Sequence, residues 1–109
     1  MRWAVLVVAL AACGANPEEQ CKQAATASCR KLFECWTSDM DRERLGLGKS
    51  ADECTKNAQT RCAPVSALCP PAKNWDAAAA DACIAGHQAL ACSALKAGMV
   101  PPTCAVVCR

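Results

Sequence analysis

The sequence predicts a small all-α domain stapled by disulfides. Two observations carry that prediction. Eleven cysteines stand in a chain of 109 residues. Apolar positions recur at helical spacing behind helix-capping residues, and no stretch alternates convincingly as a strand. The expected architecture is a bundle of three to four short helices spanning residues 17–109. The 53% hydrophobic content overstates the core, because much of it is alanine and cysteine. Larger apolar side chains are few, so covalent constraints must supplement burial.

Asn16-Pro17-Glu18-Glu19 is a strong helix start, with a capping side chain, proline at the first position and acids facing the dipole. The first helix is expected over 17–36. Its broad inner face holds Cys21, Ala25, Ser28, Cys29, Leu32, Phe33, Cys35 and Trp36, and Gln23, Thr26, Ala27, Arg30, Lys31 and Glu34 lie opposite. Residues 37–49 are polar and end in Gly46-Leu47-Gly48, which predicts a loop with one helical turn near 41–45. Ser50-Ala51-Asp52-Glu53 has the capping-box pattern and opens a second helix over 51–63. Pro64 interrupts it, a last turn at 65–68 is possible, and Pro70-Pro71 ends the segment. Asn74 is the expected cap of a third helix that starts at Trp75-Asp76 and runs through an alanine-rich stretch. Cys83 and Cys92 fall on opposite sides of a straight helix, which predicts a break near 89–91. A short fourth helix over 92–96 stops at Gly98. Pro101-Pro102 forms a corner, and 103–109 is a tail held by Cys104 and Cys108.

Spacing narrows the disulfide pairings without selecting one. If the first two helices pack antiparallel, the preferred nested solution joins Cys35 to Cys54 and Cys29 to Cys62. The competitor joins Cys29 to Cys54 and Cys21 to Cys62, members that are eight positions apart on both helices. Cys92–Cys104 is expected across the Gly-Pro corner. Cys21, Cys69, Cys83 and Cys108 remain to tie the two halves together.

The N-terminus gives these cysteines a setting. Met1-Arg2-Trp3 precedes an unbroken apolar run from Ala4 to Ala12. That is the layout of a secretory signal, and it is far shorter than the roughly 20 residues that span a bilayer. Leu10-Ala11-Ala12-Cys13 closes the run and resembles the lipobox of bacterial lipoproteins. The resemblance implies removal of residues 1–12, a diacylglyceryl group on the Cys13 thiol and acylation of its new amino group. Residues 13–16 become a tether of roughly 10–15 Å at most, holding the domain close to the lipid bilayer. Gly14 stands where an aspartate would suggest inner-membrane retention, which points to the outer membrane.

Cysteine parity agrees. Eleven is odd, and if lipid consumes Cys13, the ten from Cys21 to Cys108 can form five bridges in an oxidising compartment. The bridging set is Cys21, Cys29, Cys35, Cys54, Cys62, Cys69, Cys83, Cys92, Cys104 and Cys108. The formal charge of +2 includes Arg2, and no basic patch suggests a nucleic-acid partner.

Catalytic and metal signals are thin. His87 is the single histidine. No nucleophile-elbow pattern surrounds Ser28, Ser38, Ser50, Ser66 or Ser93, and packing is the expected role of His87. Zinc sites need clustered thiolates, and only Cys104 and Cys108 come close to the spacing. Met40, Met99 and His87 are donors that suit copper, but no spacing groups them together. No catalytic residue, metal or cofactor is expected. Trp36 and Trp75 are expected to be the main packing residues of the small core.

Cys-Arg-Lys-Leu-Phe-Glu-Cys at 29–35, Glu53-Cys54 with Cys62, and Ala-Cys-Ser-Ala-Leu-Lys-Ala-Gly before Pro-Pro-Thr-Cys resemble small cysteine-rich lipoproteins of myxobacteria. That resemblance implies location and no activity. The expected function is a membrane-anchored, non-enzymatic envelope lipoprotein that is structural or binds an envelope protein partner. The alternative is a secreted disulfide-rich effector, an inhibitor or toxin-like protein. Twin cysteine-pair proteins of the mitochondrial intermembrane space are disfavoured, because they use nine-residue spacers where this chain has five, seven and eight.

Overall fold

The computed structural model describes residues 16–109, so Leu10-Ala11-Ala12-Cys13 and the tether residues before Asn16 lie outside the described residues. Five α-helices follow: α1 (Pro17–Cys35), α2 (Asp39–Arg44), α3 (Ala51–Gln59), α4 (Ala77–Ala89) and α5 (Cys92–Lys96). Three 3-10 turns, Thr60–Cys62, Val65–Ala67 and Pro102–Val106, complete the secondary structure. The protein is all-α and disulfide-stapled. Its three longer helices make the bundle, while α2 and α5 are short pieces of six and five residues.

Side-chain caps set four of the five α-helix starts among the described residues. Asn16 Oδ1 accepts from the Glu19 N–H at 2.8 Å. Ser38 Oγ accepts from Asp41 at 3.2 Å, and Ser50 Oγ from Glu53 at 3.1 Å. Each satisfies one N–H that the first turn leaves without a carbonyl. The Glu53 carboxylate does not close a capping box onto Ser50. It accepts from the Lys49 N–H at 3.2 Å, one residue further upstream.

The start of α4 departs from expectation. Asp76, not Asn74, is the cap, and its Oδ1 accepts from Ala79 N–H at 2.9 Å. The reason is tertiary. Asn74 and Arg109 exchange two backbone hydrogen bonds of 2.8 Å, and the Asp76 N–H donates to Val107 at 2.7 Å. Trp75 and Cys108 thus form an isolated antiparallel bridge, and the helix begins only after this extended pairing is complete. The predicted break before α5 is present. Leu90 and Ala91 have extended ψ values of 132° and 145°.

α1 is the central helix, packed between α3 and α4. This corrects the expectation of one buried face. Ala27, assigned to the outer side, is 7% exposed because α4 provides a second wall. On the α3 side, Cys29, Leu47 and Cys54 form the buried cluster, with Leu32, Phe33 and Ala58 packed against it. Leu47 reaches that cluster from the loop. Gly46 and Gly48 flank it with φ of 70° and 84°, a left-handed backbone that side chains disfavour. The tryptophans are not the buried centre. Trp36 and Trp75 are both half-buried, and small alanine and cysteine residues supply most of the fully buried positions.

The ten cysteines from Cys21 to Cys108 form five bridges, and all three preferred pairings, Cys35–Cys54, Cys29–Cys62 and Cys92–Cys104, are corrected. Cys21–Cys62 and Cys29–Cys54 join α1 to the α3 region, with Cα separations of 5.6 and 5.8 Å. This is the competitor scheme. Eight residues on each side give matching rises of about 12 Å. The nested scheme failed because six residues place Cys35 about 120° around the helix from Cys29. Cys35 therefore faces away from α3 and bonds Cys92 at the start of α5. Cys104 bonds Cys83 instead of Cys92, and Cys69 bonds Cys108. Each bridge stabilises by about 2–4 kcal/mol in a chain-entropy account.

Candidate functional site

Gln20 organises the end of the bundle next to Asn16. It is one turn into α1 and fully buried. Its Nε2 donates to the Ala77 carbonyl and to Asp81 Oδ1, both at 2.9 Å, and its Oε1 accepts from the indole Nε1 of Trp75 at 2.7 Å. Among the described residues no buried side-chain polar atom lacks a partner. Gln20 is therefore a satisfied junction between α1 and α4. Periodicity did not identify it, because a glutamine next to Cys21 has no apolar signature.

At the opposite end of α1, a cleft of about 740 Å³ opens between α2 and α3, lined by residues that include Asp39, Glu43, Lys49, Glu53 and Asn57. Arg42 also borders it, but its guanidinium is committed elsewhere. Nε donates to the Trp36 carbonyl at 2.6 Å and Nη2 to Phe33 at 2.8 Å. The group also lies 4.4 Å from the Phe33 ring centroid. Arg42 thus closes the carbonyl end of α1, a structural use of its charge. Glu53 is likewise held by Lys49. The cleft is open and of mixed charge, and two of its charged groups already serve the fold.

His87 stands on α4 one turn beyond Cys83. The Sγ atoms of Cys83 and Cys104 and an imidazole nitrogen of His87 all lie within 4.8 Å of one another, and the three residues are half-buried. Spacing along the chain missed this group because Cys104 arrives from the tail. Cys104 and Cys108, which looked closer to a ligand pair, belong to two different bridges. Met40 and Met99 are 69% and 59% exposed, and neither joins the His87 group.

Among the described residues no helix is long and apolar enough to cross a membrane. Among the described residues, the most exposed of the large apolar side chains are Met40, Val100 and Met99. Lys96 lies over the Trp36 ring at 5.6 Å. No known protein family matches the chain, and no curated protein or solved structure matches it either.

Proposed function

We propose that this chain is a lipid-anchored, non-enzymatic lipoprotein of a bacterial envelope, and that it presents a rigid helical surface to an envelope protein partner. The observation that carries the reading is covalent. The ten cysteines from Cys21 to Cys108 bond among themselves, which makes Cys13 the one cysteine outside the five bridges. A lipobox cysteine is that kind of residue, because its thiol carries a thioether to glycerol. The start of the fold agrees. Asn16 already caps α1, so the folded domain begins three residues after the proposed anchor. Several acyl chains on one residue give stable attachment to the bilayer. Gly14 supports the outer membrane over the inner one.

The test is the intact mass of the protein from a bacterial membrane fraction, alkylated without reduction. The expected species starts at Cys13, carries acyl mass and takes up no alkyl group. A species without lipid and with one alkylated thiol would overturn the anchor and put a secreted effector in its place.

A further inference from the structure

Of the five bridges, two have both cysteines only half-buried, Cys83–Cys104 and Cys69–Cys108. Each of the other three contains at least one buried cysteine. His87, the single histidine, lies beside the Cys83–Cys104 bridge, its ligand nitrogen within 4.8 Å of both sulfurs. We propose that the opened, dithiol form of this bridge is a soft-metal site for Zn²⁺ or a similar thiophilic ion, with Cys83 and Cys104 thiolates and the His87 imidazole as ligands.

The donor set suits such an ion. Two thiolates and an imidazole leave a fourth tetrahedral position for water. Zn–S bonds of about 2.3 Å place two coordinating sulfurs about 3.8 Å apart. Once the S–S bond is broken, the sulfurs must separate by only about 2 Å. Two ligands are held together on one helix, since Cys83 and His87 are four positions apart and share a face. The third comes from the Pro102–Val106 turn, and two contacts keep that turn in place when the bridge opens. Pro101 is buried against Gly86, so closely that a Cβ on Gly86 would lie 2.8 Å from the proline ring. Further on, the tail is paired with Asn74 and Asp76.

The chemistry balances with a dithiol reductant. The reductant gives two electrons and two protons to the Cys83–Cys104 bond and leaves as its own disulfide. Two thiols form, and the metal then displaces both protons as it binds. Bound metal in turn blocks reoxidation. In the disulfide form the same sulfurs are not thiolates, so the site exists in one redox state only.

The experiment uses the full chain with its accessible bridges opened by limited reductant, the reductant removed, and Cd²⁺ then Zn²⁺ added anaerobically. The expected result is one ion bound per chain, with thiolate-to-metal ultraviolet absorption for Cd²⁺ and a shift of the His87 ring resonances. Cys83 and Cys104 should become protected from alkylation while Cys69 and Cys108 remain reactive. His87→Ala should weaken binding by about tenfold or more, the scale on which even outer-shell partners of metal ligands act. If partial reduction loosens the fold, metal should restore its circular dichroism. Equal binding by the unreduced chain, equal affinity in His87→Ala, protection of a different cysteine pair, or a reduced chain that metal does not refold would each overturn the proposal.

Discussion

The indole of Trp75 donates to the side-chain carbonyl of Gln20 across 55 residues of sequence, at 2.7 Å. The Gln20 amide group returns two hydrogen bonds to the first turns of α4. One fully buried side chain thus joins α1, the extended segment before α4 and α4 itself. Burial makes every lost partner costly, because water does not replace it. Gln20→Leu keeps much of the volume and removes all three bonds. The expected loss is about 2–4 kcal/mol, read from the urea midpoint of the disulfide-intact protein. Gln20→Glu retains the indole acceptor, loses both donors and sets a second carboxylate beside Asp81, so it should be at least as damaging. A midpoint unchanged in Gln20→Leu would show that this junction does not hold the bundle together.

Gly86 gives a test in which local propensity and packing oppose each other. In an isolated helix, alanine in its place gains about 1 kcal/mol. Here the new Cβ would approach Pro101 Cβ to 2.8 Å and its Cγ to 3.0 Å. Overpacking of this kind costs about 1–3 kcal/mol, so Gly86→Ala should lower the thermal midpoint. A rise would mean that the Pro101 corner yields without cost.

Reduction should proceed in an order set by burial. Cys83–Cys104 and Cys69–Cys108 should open first, since Cys29, Cys35, Cys54 and Cys62 are 2%, 6%, 8% and 0% exposed and protect the other three bridges. Alkylation mapping at rising reductant concentration reads this order directly. Complete reduction should unfold the domain, seen as loss of the far-ultraviolet helical spectrum, because the apolar core is small for a chain of this length. A spectrum unchanged by excess reductant would refute that dependence.

Asp76 has two separable roles, and two substitutions separate them. Its Oδ1 caps α4, and its Oδ2 lies 3.0 Å from Arg109 Nε. Asp76→Asn keeps a cap acceptor and removes the ion pair, which is partly exposed, so stability should change by less than about 1 kcal/mol. Asp76→Ala also removes the cap and should cost about 1–2 kcal/mol. Equal losses in the two variants would assign the effect to the ion pair instead.

Much of this fold was legible before the structure. Asn16, Ser50 and the break near Ala91 are local features, and local features mark helix ends well. Asn74 was misread because the C-terminal tail captures its backbone, and a pairing 35 residues away has no local mark. The single inner face of α1 was misread for a related reason. Ala27 fits either a solvent face or a tight helix contact, and only the position of α4 decides between them. The His87 group was invisible because one of its sulfurs comes from a separate turn.

By itself, the sequence determined the all-α class, the main helix boundaries and a cysteine count high enough for several bridges. These follow from capping, periodicity and counting, all of which act within a few residues or on composition. Tertiary structure alone decided which cysteines meet, how deeply Gln20 is buried and which sulfurs lie beside the histidine. Those depend on the azimuth of each residue around its helix and on the packing of a third helix against α1. A turn of about 100° per residue means that a spacing of six or of eight sends a thiol to different neighbours, and only the assembled bundle shows which neighbour is there.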